Sequence, residues 1–158
     1  MSYRTLRPGD IEVFSEAISH FFATTTRDAA LVRSAYVLDA EDPILWNDFN
    51  GVITVDGGFA GCVTFSAPRE LLSHVLLKMG EREFTEANHR DIVGEIANIL
   101  SGRARRHFGE QLRISPPSAF SGRGEPVRRR ARGAAYAIPF RWNGYDADLV
   151  VSLDVLAG

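Results

Sequence analysis

The chain has 158 residues, of which 45% are hydrophobic and 24% charged. That is the size and balance of one globular domain able to bury its own core, and it excludes a disordered or fibrous protein. The 18 Lys and Arg against 20 Asp and Glu leave a net charge of −2, which argues against a protein whose main work is coating DNA or an anionic membrane.

The opening stretch, Met1 to Gly9, lacks the apolar run of a signal peptide, and no window reaches the ~18 apolar residues a membrane helix needs. The expectation is a soluble, cytoplasmic protein folding as a single domain over residues 1–158. Pro8-Gly-Asp10 reads as a helix start with Asp10 as N-cap. Ile11, Phe14, Ala17, Ile18, Phe21 and Phe22 then recur at helical spacing, and Thr24-Thr-Thr26 disfavours continuation. This predicts a helix over residues 10–23.

Residues 30–38 read as a strand, and Glu41-Asp-Pro43 as a loop. Phe49 to Val55 and Phe59 to Phe65 are rich in β-formers around Asp56-Gly-Gly58, a turn whose residues tolerate positive φ; they predict a hairpin. Cys62, the one cysteine, lies in the second of these runs. Alone it makes no internal disulfide and no Cys-rich zinc site, and it reads as a small buried filler. Pro68 opens a second helix with Leu71, Leu72, Val75, Leu76 and Met79 as its apolar stripe and Gly80 as its stop. Thr85 caps a third, with Ile92, Val93, Ile96, Ile99, Leu100 and Phe108 inward and Gly109 at its end. Leu112-Arg-Ile114 begins another strand, broken by Pro116-Pro117. Residues 133–142 and 146–155 form a second hairpin around Asn143-Gly144. Between these lies a Gly- and Arg-rich segment, residues 121–132, read as a mobile interstrand loop. Its Arg128-Arg-Arg130 and Arg132 suit either a solvated loop or steering toward an acidic partner, with nucleic acid the weaker option. Helices and strands fall in separate runs, which predicts an α+β fold: a mainly antiparallel sheet with a pair of central helices packed on it.

Motifs for phosphate loops, dinucleotide binding or a serine nucleophile elbow are absent. His20, His74, His89 and His107 are scattered without metal-ligand spacing and read as surface or boundary residues. The third helix is different. Asp91, Glu95, Asn98, Gly102 and Arg105 fall at steps of four, three, four and three, so they line the face opposite the apolar stripe. A solvated polar face explains Glu and Arg, which are good helix formers. It does not explain Asn98, because a mid-helix amide competes for backbone groups. A carboxylate and an amide at i, i+3 have a chemical use. The first can grip a cation on a partner, and the second can hold a water in line for attack. Phosphoryl hydrolysis needs that kind of positioning more than it needs a strong base.

Asp91-Ile-Val-Gly-Glu95-Ile-Ala-Asn98 resembles the Asp/Ser-x-x-x-Glu-x-x-Asn signature of the CheC/CheX/FliY phosphatases. The hairpin Gly51 to Gly61, the run Glu95 to Gly102 and the strand Arg113-Ile-Ser-Pro-Pro117 resemble the CheX branch, as does the presence of one Glu-x-x-Asn pair. The family's downstream proline looks like Pro116 or Pro117. The resemblance covers about residues 49–155. It implies a CheX-like fold, and a phosphatase acting on the phospho-aspartate of a CheY-like response regulator. Glu95 would contact the regulator's lysine, Asn98 would orient the attacking water, and Asp91, Gly102 and Arg105 would contact the partner. The resemblance further implies that Mg2+ belongs to the regulator, that this chain binds no metal or other cofactor of its own, and that it pairs as a homodimer through its sheet. The edge of residues 133–155 is the expected pairing surface. Two other readings stay open. One is a module that binds phosphorylated receiver domains without hydrolysing them, as a two-component or chemotaxis adaptor. The other is a dimeric structural or regulatory domain whose polar helix face has no catalytic purpose.

Overall fold

The computed structural model describes residues 2–38, 47–122 and 134–157. Among these residues, nine strands make one antiparallel sheet: β1 (Ser2–Thr5), β2 (Leu31–Val32), β3 (Tyr36–Leu38), β4 (Phe49–Gly57), β5 (Phe59–Ala67), β6 (Leu112–Ile114), β7 (Ser118–Ser121), β8 (Ala135–Trp142) and β9 (Tyr145–Ala157). Its central order is β2-β8-β9-β5-β4-β6, with β1 also on β9, β3 on β8 and β7 on β4. Three helices accompany it: α1 (Pro8–Phe21), α2 (Arg69–Lys78) and α3 (Glu86–Phe108). The α+β reading therefore holds, with α1 joining the two expected central helices.

Alternation along the strands decides where the core lies. Phe49, Ile53 and Val55 of β4, Val63 and Phe65 of β5, Leu149, Val151 and Leu153 of β9, and Ile138 and Phe140 of β8 join one buried cluster with the helices. From below come Phe14, Ile18 and Phe21 of α1, Leu71, Leu72 and Val75 of α2, and Ile92, Val93, Ile96 and Leu100 of α3. Each such side chain, fully buried, contributes about 1.5–3 kcal/mol. The alternate positions carry smaller groups, among them Thr54, Thr64, Ser152 and the buried Cys62.

Several expectations are corrected. The N-cap of α1 is Arg7, not Asp10. Asp10 sits three residues in and accepts the Arg7 backbone N–H at 2.9 Å, because a carboxylate there satisfies a donor that the helix start leaves free. The chain does not leave the helix at Thr24. It continues as a π-helical segment, Phe22–Thr26, in which the hydroxyls of Thr24 and Thr26 bond back to the carbonyls of His20 and Phe22. Arg27 ends it at φ 64°. Residues 30–38 form two short strands instead of one. The interruption lies opposite Pro139, which accepts from Arg33 N–H at 2.8 Å but has no N–H to return. Met79 and Ile99 are exposed, at 43% and 40%, not part of the apolar stripes. His89 is buried: its Nδ1 donates to the Thr85 carbonyl at 2.6 Å, its Nε2 accepts from Ser73 Oγ at 2.7 Å, and Phe49 stacks on its ring. Finally, residues 135–157 present no free edge. β9 lies between β5 on one side and β8 and β1 on the other, and the outer side of β8 is taken by β2 and β3. The Gly- and Arg-rich segment and the Glu41-Asp-Pro43 loop lie outside the described residues, apart from Ser121 and Gly122.

α3 lies directly on β4 at Gly51. A methyl added there would stand 2.8 Å from the Val93 carbonyl carbon and 3.1 Å from Gly94 Cα, both backbone atoms that cannot swing aside. Gly51→Ala should therefore lower stability by roughly 1–3 kcal/mol or more, read as a fall of several degrees in Tm.

The start of α1 is tied to the end of α3 through Asp10. Its carboxylate meets His107 Nε2 at 3.1 Å and an Arg4 guanidinium nitrogen at 3.4 Å. Burial pushes this carboxyl up, but the Arg7 N–H, His107 and Arg4 together outweigh it and hold the group below its usual range. A carboxyl lowered on folding stabilises the fold above its unfolded value, about 3.9, and that contribution is lost as pH falls through the folded value. Asp10→Asn should thus be less stable than the parent at neutral pH, with the gap closing below about pH 4 in urea titrations.

Candidate active site

α3 starts where the sequence puts it. Thr85 Oγ1 accepts the Asn88 N–H at 3.1 Å, and Gly109 ends the helix at φ 90°. Its inner side buries Ile92, Val93, Ile96, Ala97, Leu100 and Ala104. That anchoring fixes the rotation of the helix and turns the remaining face outward. Asp91, Glu95, Asn98 and Arg105 are exposed on it, and Gly102 is half-buried. Among the described residues, the side chains of Glu95 and Asn98 have no hydrogen-bond or ion-pair partner. At i, i+3 their Cβ atoms lie about 5–6 Å apart on adjacent turns. A carboxylate and an amide are thus held side by side, open to solvent, on a rigid element.

Pro117, three residues beyond the end of β6, supports the helix beside this pair. The Pro117 ring faces Gly94, where an added Cβ would meet its Cβ at 3.3 Å and the Ala119 Cβ at 3.7 Å. β7, which carries Ala119, pairs with Phe49 to Val52 of β4. Pro116-Pro117 thus interrupts a single antiparallel run along β4, between β6 and β7, and seats the chain against the turn of α3 that bears Glu95.

The structure brings the expected residues together in part. Asn98 and Gly102 line a hollow of about 460 Å3 between α3 and the π-helical segment. Gly102 and Arg105 line an adjoining one of about 420 Å3 toward Gly109. Asp91 and Glu95 lie outside both, toward the start of the helix. Sequence reasoning missed the first hollow because it closed α1 at residue 23 and placed Ile99 in the core. Spacing carried a usable signal: Ile99 is four residues from Glu95, on its side of the helix. Arg103 and Arg106 also line this hollow. Among the described residues, no group of three or more His, Cys, Asp and Glu side chains is placed to hold a metal ion. Among the same residues, no helix is long and apolar enough to cross a membrane.

An antiparallel sheet backed by a long helix defines an α+β domain, and its outward Glu-x-x-Asn face sets a carboxylate beside an amide. The model of the CheX family, described as chemotaxis phosphatase CheX, matches residues 49–141, and the chain belongs to that family. Its fold is similar to that of chemotaxis protein CheX from Vibrio vulnificus, with 22% identity and a TM-score of 0.79 over 92% of this chain and 99% of the other. It is likewise similar to a CheC-like superfamily protein from Shewanella sp. PV-4, with 19% identity and a TM-score of 0.80 over 94% and 99%. A third likeness is to CheX in the CheX-CheY-BeF3-Mg2+ complex from Borrelia burgdorferi, with 16% identity and a TM-score of 0.73 over 93% and 99%. No curated protein matches the chain.

Proposed function

We propose that this chain hydrolyses the aspartyl phosphate of a CheY-like response-regulator receiver domain, acting in the cytoplasm as one domain over residues 1–158. The observation that carries the reading is the unpartnered, outward Glu95–Asn98 pair on a helix whose opposite side is locked in the core. The Borrelia burgdorferi relative, solved with CheY, BeF3 and Mg2+, supports the partner class.

In this reading Glu95 makes a charge-assisted contact with the regulator's lysine and so fixes the docking register. The Asn98 amide donates to or accepts from one water and holds it in line with the phosphorus. Attack forms the new P–O bond as the bond to the aspartyl oxygen breaks. Inorganic phosphate leaves, and the regulator's carboxylate is restored. The amide is no base, so its work is orientation, the term that converts a diffusing water into a placed one. Mg2+ on the regulator supplies charge neutralisation at the phosphoryl group. Asp91, Gly102 and Arg105 flank the pair as partner contacts.

The homodimer belongs to the same reading, with a different surface from the one first expected. Supporting it is the short strand β2, which ends the described strand order and where Leu31 stands 62% exposed. An apolar strand edge of this kind recruits another strand. Light scattering at micromolar concentration should give twice the chain mass, and a monomer there would remove this part of the proposal.

Asn98→Ala should keep the fold, since the residue is exposed and alanine is the better helix former. It should retain capture of the phosphorylated receiver yet lose about 10²-fold or more in hydrolysis. Glu95→Ala should instead weaken capture. Single-turnover dephosphorylation across a range of protein concentrations separates the two effects. Wild-type hydrolysis by Asn98→Ala at saturation would overturn the water-orienting role and leave the non-catalytic binding module as the better reading.

A further inference from the structure

Three glycines bear on α3, and two of them are explained within the chain. Gly51 admits the helix backbone, and Gly94 admits Pro117. Gly102 is not explained in this way. Nothing lies within 4 Å of where its Cβ would be, so alanine would fit and would favour the helix by about 1 kcal/mol. The gap opens onto the hollow beside Asn98, and a space left clear by this chain suits the close approach of another.

The hollow has a consistent chemistry. Its floor is α3 from Asn98 to Arg106, and its wall is the end of α1 and the π-helical segment, through His20, Thr24 and Thr25. Arg103 and Arg106 line it, and among the described residues no carboxylate does. Among the described residues neither guanidinium has an ion-pair partner, although Asp10, Asp28, Asp56, Asp146 and Glu86 each hold a cation elsewhere. In the middle of this basic surface Ile99 stands 40% exposed. An apolar anchor ringed by polar and cationic groups is the anatomy of a protein interface centre. The wall exists because Thr24 and Thr26 bond back to carbonyls of the preceding turn and carry the chain past the expected end of α1.

We propose that this groove is the docking site for an acidic surface of the phosphorylated receiver domain. The receiver then extends beyond the Glu95–Asn98 pair toward Gly109 and against the π-helical segment. The inference rests on the phosphatase reading and adds to it the direction of docking and the residues that select the partner. Arg103 and Arg106 attract and orient the acidic surface, Ile99 fills an apolar contact, and Gly102 lets the partner come close.

The test uses the full chain and a panel of CheY-like receiver domains phosphorylated with acetyl phosphate, taking forward the one that the parent protein dephosphorylates fastest. Arg103→Glu and Arg106→Glu should each raise KM about tenfold and flatten its salt dependence, with the rate at saturating receiver little changed. Arg82→Glu, the same charge reversal in the exposed connection between α2 and α3, should leave KM unaltered. Gly102→Leu should keep or raise Tm, leucine being the better helix former, and still raise KM. Unchanged KM in all three groove variants, with an active parent, would overturn the groove and leave the phosphatase reading standing. Equal effects of Arg82→Glu and the groove variants would overturn it too, by showing only a net-charge effect. A parent inactive on every receiver would remove the phosphatase reading and the groove with it.

Discussion

Everything at the site depends on how closely α3 can lie on the sheet. The Val93 and Gly94 backbone touches β4 at Gly51, where any side chain would force the helix away. Contact at the level of backbone atoms leaves no freedom in the height or rotation of the helix. Ile92, Ile96 and Leu100 are then driven into the core, and Glu95 and Asn98 are turned out by the same rotation. A pair that works by orientation needs this, because a helix free to roll by half a residue would carry the amide out of line. Pro117 completes the support by filling the space that Gly94 leaves on the flank.

Much of this was legible in the sequence, for identifiable reasons. Thr85 and Gly109 mark the ends of α3, Asn143-Gly144 marks the β8–β9 turn, and Asp56-Gly-Gly58 marks the β4–β5 turn, because each is local chemistry acting on local backbone. The outward face of α3 followed from period alone. What was not legible is what depends on the bonds and position a residue takes up and not on its type alone. Threonine propensity said that α1 should stop, but the hydroxyls of Thr24 and Thr26 found carbonyls one turn back and the chain went on. Ile99 looked like core because its type is apolar, whereas its angular position belongs with Glu95. His89 looked peripheral, yet Ser73 and the Thr85 carbonyl satisfy both ring nitrogens and let it be buried. The free edge expected in the last strands was closed by β1, β2 and β3, short segments that periodicity cannot register.

The electrostatic design is uneven along α3. Its first half presents Asp91 and Glu95, and its last turns present Arg103, Arg105 and Arg106. The helix dipole favours this arrangement, acids near the start and bases near the end, so the polarity needs no functional cause by itself. Its consequence is nonetheless that one exposed face offers a partner two opposite charges some turns apart. Such a face fixes the orientation of a docked domain as well as its location.

The strand that binds the sheet together is also the last of the described strands in chain order. β9 pairs with β5 and β8 along most of its length and with β1 at its end, so residues 2–5 lie beside residues 154–157. Until β9 emerges from the ribosome, β5 has an unpaired inner edge and β1 has nowhere to bind. The helices precede β9 in the chain, so the surface they must cover is incomplete until that strand has been made. Topologies of this kind fold slowly and expose strand edges while they wait. A chain interrupted shortly before β9 would therefore lose the middle of its sheet, not a dispensable margin.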